Sequence, residues 1–249
     1  MSQLNAFTSS AIDFPPLLNF NNPAILHNDF GQNYIVCGFF TPNYEIRARQ
    51  LKDSLDSLQI NYYLQPVADQ GHWEANTRIK PYFLLHCLKK FEDKNVIYLD
   101  TDAVVKKSLD YFSELSADIS VYITHRAVGM SHDYLTGTLF LANTPATYKL
   151  VSDWCMAQNQ CKNTMVDQDS FEIAMRSNEN LLRIEPLSVG YIKIFDKDYD
   201  GEVYIEQYQA SREQPKLRRQ LIRKRNRAIG LIIMIILVLI TYYSIKQSI

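Results

Sequence analysis

The sequence predicts an α/β sandwich with a mostly parallel central sheet, followed by one C-terminal transmembrane helix. Three observations lead there. From Tyr34 onward, short apolar runs alternate with segments of helical spacing. Val96-Ile97-Tyr98-Leu99 is continuously apolar, as an inner strand buried on both faces must be, and it ends in Asp100-Thr101-Asp102. Finally, Ala228–Ile245 is 18 residues without a charge, mostly Ile and Leu, about the minimum length of a bilayer-spanning helix.

Each element follows from local pattern. Met1–Gln32 is polar, contains Pro15-Pro16 and Pro23, and reads as an extended lead-in. Tyr34–Phe40 is a strand, ended by the turn residues Thr41-Pro42-Asn43. Tyr44–Leu58 places Ile46, Leu51, Leu55 and Leu58 on one side of a helix. Ile60–Leu64 is a second strand, and Asp69–Thr77 a loop. Ile79–Phe91 is an apolar helix with Pro81 near its start, where its missing N–H costs nothing. After the Val96–Leu99 strand come strands at Ala117–Ile123 and Leu135–Ala142. Thr144-Pro145 then opens a helix running to about Gln158. A helix at Gln168–Arg176 and short strands at Leu181–Ile184 and Tyr191–Phe195 complete the domain.

Without the tail, roughly 200 residues remain, enough for one domain with a full core. The expected organisation is an N-terminal extension (1–33), a catalytic domain (34–212), a basic juxtamembrane segment (213–227) and the membrane span (228–245). The formal net charge of −1 hides an asymmetry. Seven of the 26 basic residues (Lys216, Arg218, Arg219, Arg223, Lys224, Arg225 and Arg227) lie just ahead of the apolar tail. The domain is therefore mildly acidic, which argues against nucleic-acid binding, and anionic lipid headgroups suit the basic cluster better. Gly230–Ile240 is apolar all round, unlike a surface helix. Lysine and arginine bias predicts that the domain faces the cytoplasm. With only four residues after Ile245, the expectation is a tail anchor. Met1–Phe20 lacks the basic and apolar parts of a signal peptide. The four cysteines form no CxxC pair and are expected to be reduced.

Chemistry centres on the acids. In open α/β sheets, ligands bind at the carboxyl ends of strands, where Asp100 and Asp102 fall. Two carboxylates there can hold a hard divalent cation that clamps phosphate oxygens. Other segments accompany them in a particular order. Tyr34–Phe40 is followed by Thr41 and Tyr44, and Trp73 and Lys80 precede the acids. Leu135-Thr136-Gly137-Thr138-Leu139-Phe140 and Asp167-Gln168 come after them. This ensemble, over roughly Tyr34–Arg212, resembles the nucleotide-diphospho-sugar transferases of the GT-A (Rossmann-like) fold, an α/β/α sandwich.

The resemblance implies a sugar-nucleotide donor, Mn²⁺ or Mg²⁺, and transfer to a glycan, lipid or protein acceptor. It implies Asp102 as a direct metal ligand and Asp100 at the metal or the ribose, with Thr101 beside them. Thr41 and Tyr44 would cradle the nucleoside, and Lys80 the diphosphate. Asp167 and Gln168 would lie near the anomeric carbon or the acceptor, and Trp73 would serve as a lid or platform. Asp167 is also a suitable N-cap for the helix starting at Gln168. One departure stands out: Gln207 occupies the place of an expected metal-binding His. An inactive, membrane-anchored binding protein of the same fold is therefore an alternative reading. A haloacid-dehalogenase-like phosphatase, suggested by Asp100-Thr-Asp102-Ala-Val104, is a third. Asp196-Lys-Asp198-Tyr-Asp200-Gly201 imitates half of a calcium loop but reaches Gln207, not Glu, at the twelfth position.

Overall fold

The computed structural model describes residues 18, 20, 22–125, 131–212, 214 and 216–247, without the side chains of 217, 218 and 237–247. In chain order its elements are β1 (Leu26–Asn28), β2 (Tyr34–Phe40), α1 (Glu45–Ser57), β3 (Tyr62–Pro66), α2 (Trp73–Thr77), α3 (Lys80–Lys90), β4 (Asn95–Leu99) and β5 (Ala103–Val105). There follow β6 (Ile119–Ile123), β7 (Tyr134–Leu141), α4 (Pro145–Ala157), α5 (Asp167–Asn178), β8 (Ile184–Pro186), β9 (Lys193–Ile194), β10 (Ile205–Gln207) and α6 (Leu217–Gln247).

The main sheet has the order β1-β3-β2-β4-β7-β6-β8. It is mixed, which corrects the expectation of a mostly parallel sheet. β2 runs parallel to β3 and β4, and β6 parallel to β8. β1/β3, β4/β7 and β6/β7 are antiparallel. The reason is connection length. β7 follows β6 after a short link and runs back beside it, whereas parallel neighbours need a helical crossover.

Alternation along the strands divides the core between two faces. Ile35, Cys37, Val96, Tyr98, Leu139 and Leu141 pack with α3, α4 and α5. Tyr34, Val36, Ile97, Leu99 and Phe140 pack on the other side, with Ala48, Leu51 and Leu55 of α1. That second face is covered only in part by helix. The rest is a three-stranded sheet, β5-β10-β9, whose Val105 and Ile205 enter the core.

Several local expectations change. The lead-in contains β1, and Phe20 is buried in the core. Trp73 begins a helix rather than sitting in a loop, because His72 Nδ1 accepts from Ala75 N at 3.1 Å and caps it. The strand expected at Tyr191–Phe195 shrinks to Lys193–Ile194. Tyr191 closes a 3₁₀ turn, and Gly190 comes so near Glu202 O that a Cβ there would lie 2.2 Å away. Within the acidic turn, Asp196 pairs with Arg212. All four cysteines are free.

The basic and apolar stretches form one helix, α6. Ile229 and Leu231–Ile236 are exposed along it. Among the described residues no helix is long and apolar enough to cross a membrane. The expected span 228–245 passes after residue 236 into side chains outside those described.

Candidate active site

A cleft of about 300 Å³ opens at the carboxyl ends of β2 and β4. Thr41, Tyr44, Trp73 and Lys80 line it, and so do Asp100, Thr101, Asp102, Asp167 and Gln168. The fold thus brings these nine candidate residues, distant in sequence, into one cavity.

Lys80 holds the centre. It is the first residue of α3 and is only 3% exposed. Its ammonium lies 2.6 Å from Asp167 Oδ2 and 3.2 Å from Asp100 Oδ1. It also donates to Thr136 O and Oγ1 at 3.1 and 3.2 Å, and sits 4.7 Å above the Tyr98 ring. Burial pulls its pKa down, but the two carboxylates outweigh that and the net shift is upward. The Thr136 hydroxyl donates to Asp167 Oδ2 at 2.7 Å, and Tyr98 donates to Asp100 Oδ1 at 2.9 Å. Tyr98 and Asp100 reach the same side because residues i and i+2 share a face at a strand end. Burial raises the pKa of Tyr98 and keeps it a donor.

Asp167 does not cap α5. The N-cap is Val166, whose backbone N–H donates to Asp169 Oδ2 at 2.7 Å, and the helix begins at Asp167 itself. Asp167 is therefore committed to Lys80 and Thr136. Gln168 Nε2 is held by Tyr134 O at 3.0 Å.

Asp100 to Ala103 form a tight turn, closed by Ala103 N to Asp100 O at 2.9 Å. It carries the chain from the main sheet into β5. The approach is close: a Cβ on Gly38 would lie 2.9 Å from Leu99 O and 3.0 Å from Thr101 Cγ2. β5 pairs with β10, setting Gln207 opposite Ala103. The segment after β10 folds onto Asp102. Tyr208 N reaches Asp102 O at 3.1 Å, and Ala210 N reaches Asp102 Oδ2 at 2.6 Å. Gln209 makes that turn in the left-handed region, at φ 56°. Burial, then the nearby charge of Asp100, pushes the Asp102 pKa up to about 6, against the pull of the Ala210 N–H.

Sequence reasoning placed Tyr98, Thr136 and Gly137 in matching segments without giving them individual roles, did not reach the Ala210 N–H, and left Lys216 to the membrane flank. Lys216 lines the cleft, with its ammonium 4.2 Å above the Trp73 ring. Gly137 lies beneath the acids. A Cβ there would be 3.2 Å from Asp100 Oδ2 and 3.6 Å from Gln207 Cδ and Nε2. Gln207 thus does sit beside the acid pair. Its Nε2 donates to Gly137 O and Thr138 Oγ1 at 3.2 and 3.1 Å, so its amide hydrogens are committed to the protein.

Among the described residues there is no group of three or more His, Cys, Asp or Glu side chains able to hold a metal. The side chains gathered here are the two carboxylates of Asp100 and Asp102, with the Gln207 amide beside them. That set fits a hard cation of the Mg²⁺ or Mn²⁺ kind, which takes one or two carboxylates and completes its shell with water and phosphate oxygens.

Comparison with known proteins adds the family. Residues 53–214 match the model of the nucleotide-diphospho-sugar transferases. A search of curated proteins gives no match. Among solved structures, a glycosyltransferase involved in glycosylation of the major capsid of PBCV-1 is 15% identical, with a TM-score of 0.56, over 71% of this chain and 92% of that one. The glycosyltransferase GlyE of Streptococcus pneumoniae TIGR4 is 14% identical, with a TM-score of 0.52, over 72% of this chain and 55% of that one. The bifunctional glycosyltransferase WbbM is 12% identical, with a TM-score of 0.51, over 74% of this chain and 47% of that one. This chain spans about half the length of the latter two. Such low identities establish the fold alone.

Two outcomes follow from the electrostatics. Lys80→Met removes the counter-ion of a buried carboxylate and should cost about 3–5 kcal/mol in denaturant unfolding. Adding Asp167→Asn should recover part of that loss, because the two residues share one network. An additive double variant would show that Lys80 does not neutralise Asp167. Asp102 favours the proton in the fold, with a pKa near 6 against an ordinary 3.8. The metal-free protein should therefore lose stability as pH rises from about 4 to 6, and Asp102→Asn should flatten that slope. Equal slopes for both proteins would refute the assignment.

Proposed function

This chain belongs to the nucleotide-diphospho-sugar transferase family, and from that premise we propose a membrane-tethered glycosyltransferase. It moves a sugar from a nucleotide-diphosphate donor to an acceptor hydroxyl with the help of a divalent cation. The observation that carries this reading is the meeting of Asp100, Asp102, Lys80 and Asp167 at the end of β4, inside a cleft.

In the proposed reaction, the bond from the anomeric carbon to the β-phosphate oxygen breaks. The nucleoside diphosphate leaves with the electron pair, and the acceptor oxygen bonds to the anomeric carbon as its proton passes to the departing diphosphate. Asp100, Asp102 and the Gln207 carbonyl would hold the cation, which supplies positive charge to the departing diphosphate. Thr41 and Tyr44 follow β2 and line the cleft where the nucleoside would rest, and the Tyr44 ring would lie against the base. Lys216 adds positive charge at the same cleft, where the diphosphate charge must fall. Lys80 acts on this reading as a positioning residue. Its three ammonium protons are engaged by Asp100, Asp167 and Thr136, so it orients carboxylates rather than meeting phosphate itself. Asp167 and Gln168 would face the anomeric centre and the acceptor.

The tether rests on α6. Its basic stretch and the exposed Ile229 and Leu231–Ile236 match a cationic flank ahead of a lipid-buried segment. The catalytic domain would then face the cytoplasm, beside the surface that carries a lipid or protein acceptor.

Full-length protein should release nucleoside diphosphate from at least one sugar nucleotide in Mn²⁺ or Mg²⁺. EDTA should abolish release, and Asp102→Asn should reduce it at least about a hundredfold. No release from any donor, but thermal stabilisation by one, would support the inactive binding protein; Gln207 in place of His favours that reading. Neither release nor stabilisation would overturn the family function for this chain. In a separate test, the protein should float with liposomes containing phosphatidylserine and resist carbonate extraction. Ile233→Asp with Ile236→Asp should bring it into the soluble fraction, and an unchanged distribution would refute the tether.

A further inference from the structure

The start of α6 belongs to the cleft as well as to the tether. Lys216 immediately precedes the helix, and its carbonyl accepts from Gln220 N at 3.1 Å, which ties it to the first turn. Its ammonium lines the cleft, 4.2 Å above the Trp73 ring. One residue thus stands in the cleft and closes the first turn of a helix that runs unbroken to Gln247. Fraying of that turn frees the backbone that positions the ammonium.

The same stretch is poorly suited to be a helix in water. Arg219, Arg223 and Arg227 recur at every fourth position, so each meets a like charge one turn away, which weakens a helix. Lys224 and Arg225 add to the same stretch. The first turn holds no acid to complement the partial positive charge of the helix N-terminus, and carries Arg218 and Arg219 instead. Residues 219–227 are all exposed. Arg219 also bears on the cleft. Burial first, and then the charge of Arg219, holds the Lys216 pKa below the ordinary lysine value, while the buried Glu74 pulls the other way. The start of α6 therefore carries a repulsion that the helix does not relieve by itself, and that a surface of negative charge does.

We propose that an anionic lipid surface regulates the cleft through α6. It neutralises the arginine ladder, orders the first turns and so fixes Lys216 over Trp73, where the donor diphosphate meets its charge. The proposal rests on the transferase and tether readings above and adds to them a direction of control. Phosphate headgroups attract each basic residue near the surface, which offsets the like-charge penalty. The ammonium is then in place before the nucleotide arrives, and the cost of ordering it no longer falls on binding. The sign is opposite to that of simple electrostatics, since an anionic surface by itself repels an anionic nucleotide.

The test is the nucleotide affinity of full-length protein in lipid nanodiscs, made of phosphatidylcholine alone or of equal parts phosphatidylcholine and phosphatidylserine. Calorimetry with the Mn²⁺ complexes of UDP, GDP, ADP and CDP gives the dissociation constant of the best ligand in each disc. Phosphatidylserine should lower it about fivefold. Arg223→Gln with Arg227→Gln breaks the ladder without touching the cleft. It should bring the value in phosphatidylcholine close to the wild-type value with phosphatidylserine. Gly-Ser-Gly-Ser inserted between Ile222 and Arg223 keeps the tether but separates the ladder from Lys216, and should abolish the lipid response. Equal affinity in the two discs, or weaker affinity with phosphatidylserine, overturns the proposal and leaves the transferase reading intact. An unchanged lipid response in either variant overturns it in the same way. Binding of none of the four nucleotides removes the transferase reading, failure to enter the discs removes the tether, and either result removes this proposal as well.

Discussion

The site depends on one buried ammonium. Lys80 is unfavourable where it stands, both because it is desolvated and because the first turn of a helix carries partial positive charge. Only the carboxylates of Asp100 and Asp167 make the position tolerable. The requirement runs both ways, and it draws together four segments distant in sequence. The start of α3 supplies the cation, the end of β4 and the start of α5 supply the anions, and Thr136 on β7 links cation to anion. Each group in the network has more than one partner, so the geometry of the cleft is set before any ligand arrives.

The second acid is governed differently. Asp102 lies within the turn but outside the hydrogen bonds of Lys80, and its carboxylate is met by the Ala210 N–H. One neutral donor does not offset its burial beside Asp100, and its raised pKa records the imbalance. Two neighbouring acids are thus handled oppositely: Asp100 is anchored to protein cations and donors, while Asp102 is left with excess negative charge. That contrast is what a transient external cation needs, because one ligand stays fixed while the other gains from binding.

Much of this was legible in sequence because it is local. The Val96–Leu99 run and its acids, the Pro81 helix start and the Thr144-Pro145 start each follow from a few consecutive residues. What was not legible depends on pairings across the chain. β5 and β10 are three residues each and a hundred residues apart, too short to show a period, yet they seat Gln207 beside the acids. Lys216 belongs by composition to a basic run, and only its placement over the Trp73 ring brings it into the cleft. Asp167 satisfied a helix-capping pattern that the structure gives to Val166 and Asp169, because the charge of Lys80 is the stronger claim on its carboxylate. The mixed sheet was missed because an inner antiparallel strand, buried on both faces, has the same apolar pattern as a parallel one.

Gln207 bears most directly on how the proposed metal site would behave. A neutral amide in place of a neutral imidazole leaves the charge of the donor set unchanged, so the demand of Asp100 and Asp102 for a cation is undiminished. What changes is donor type. Imidazole nitrogen suits the later transition metals, whereas a set made only of carboxylate and carbonyl oxygen suits Mg²⁺ and Mn²⁺. The amide is also pinned by Gly137 and Thr138, so its carbonyl is held without the entropic cost of ordering a free side chain. On these grounds the substitution alters which hard cation the site prefers and how tightly, rather than removing the reason for one to bind.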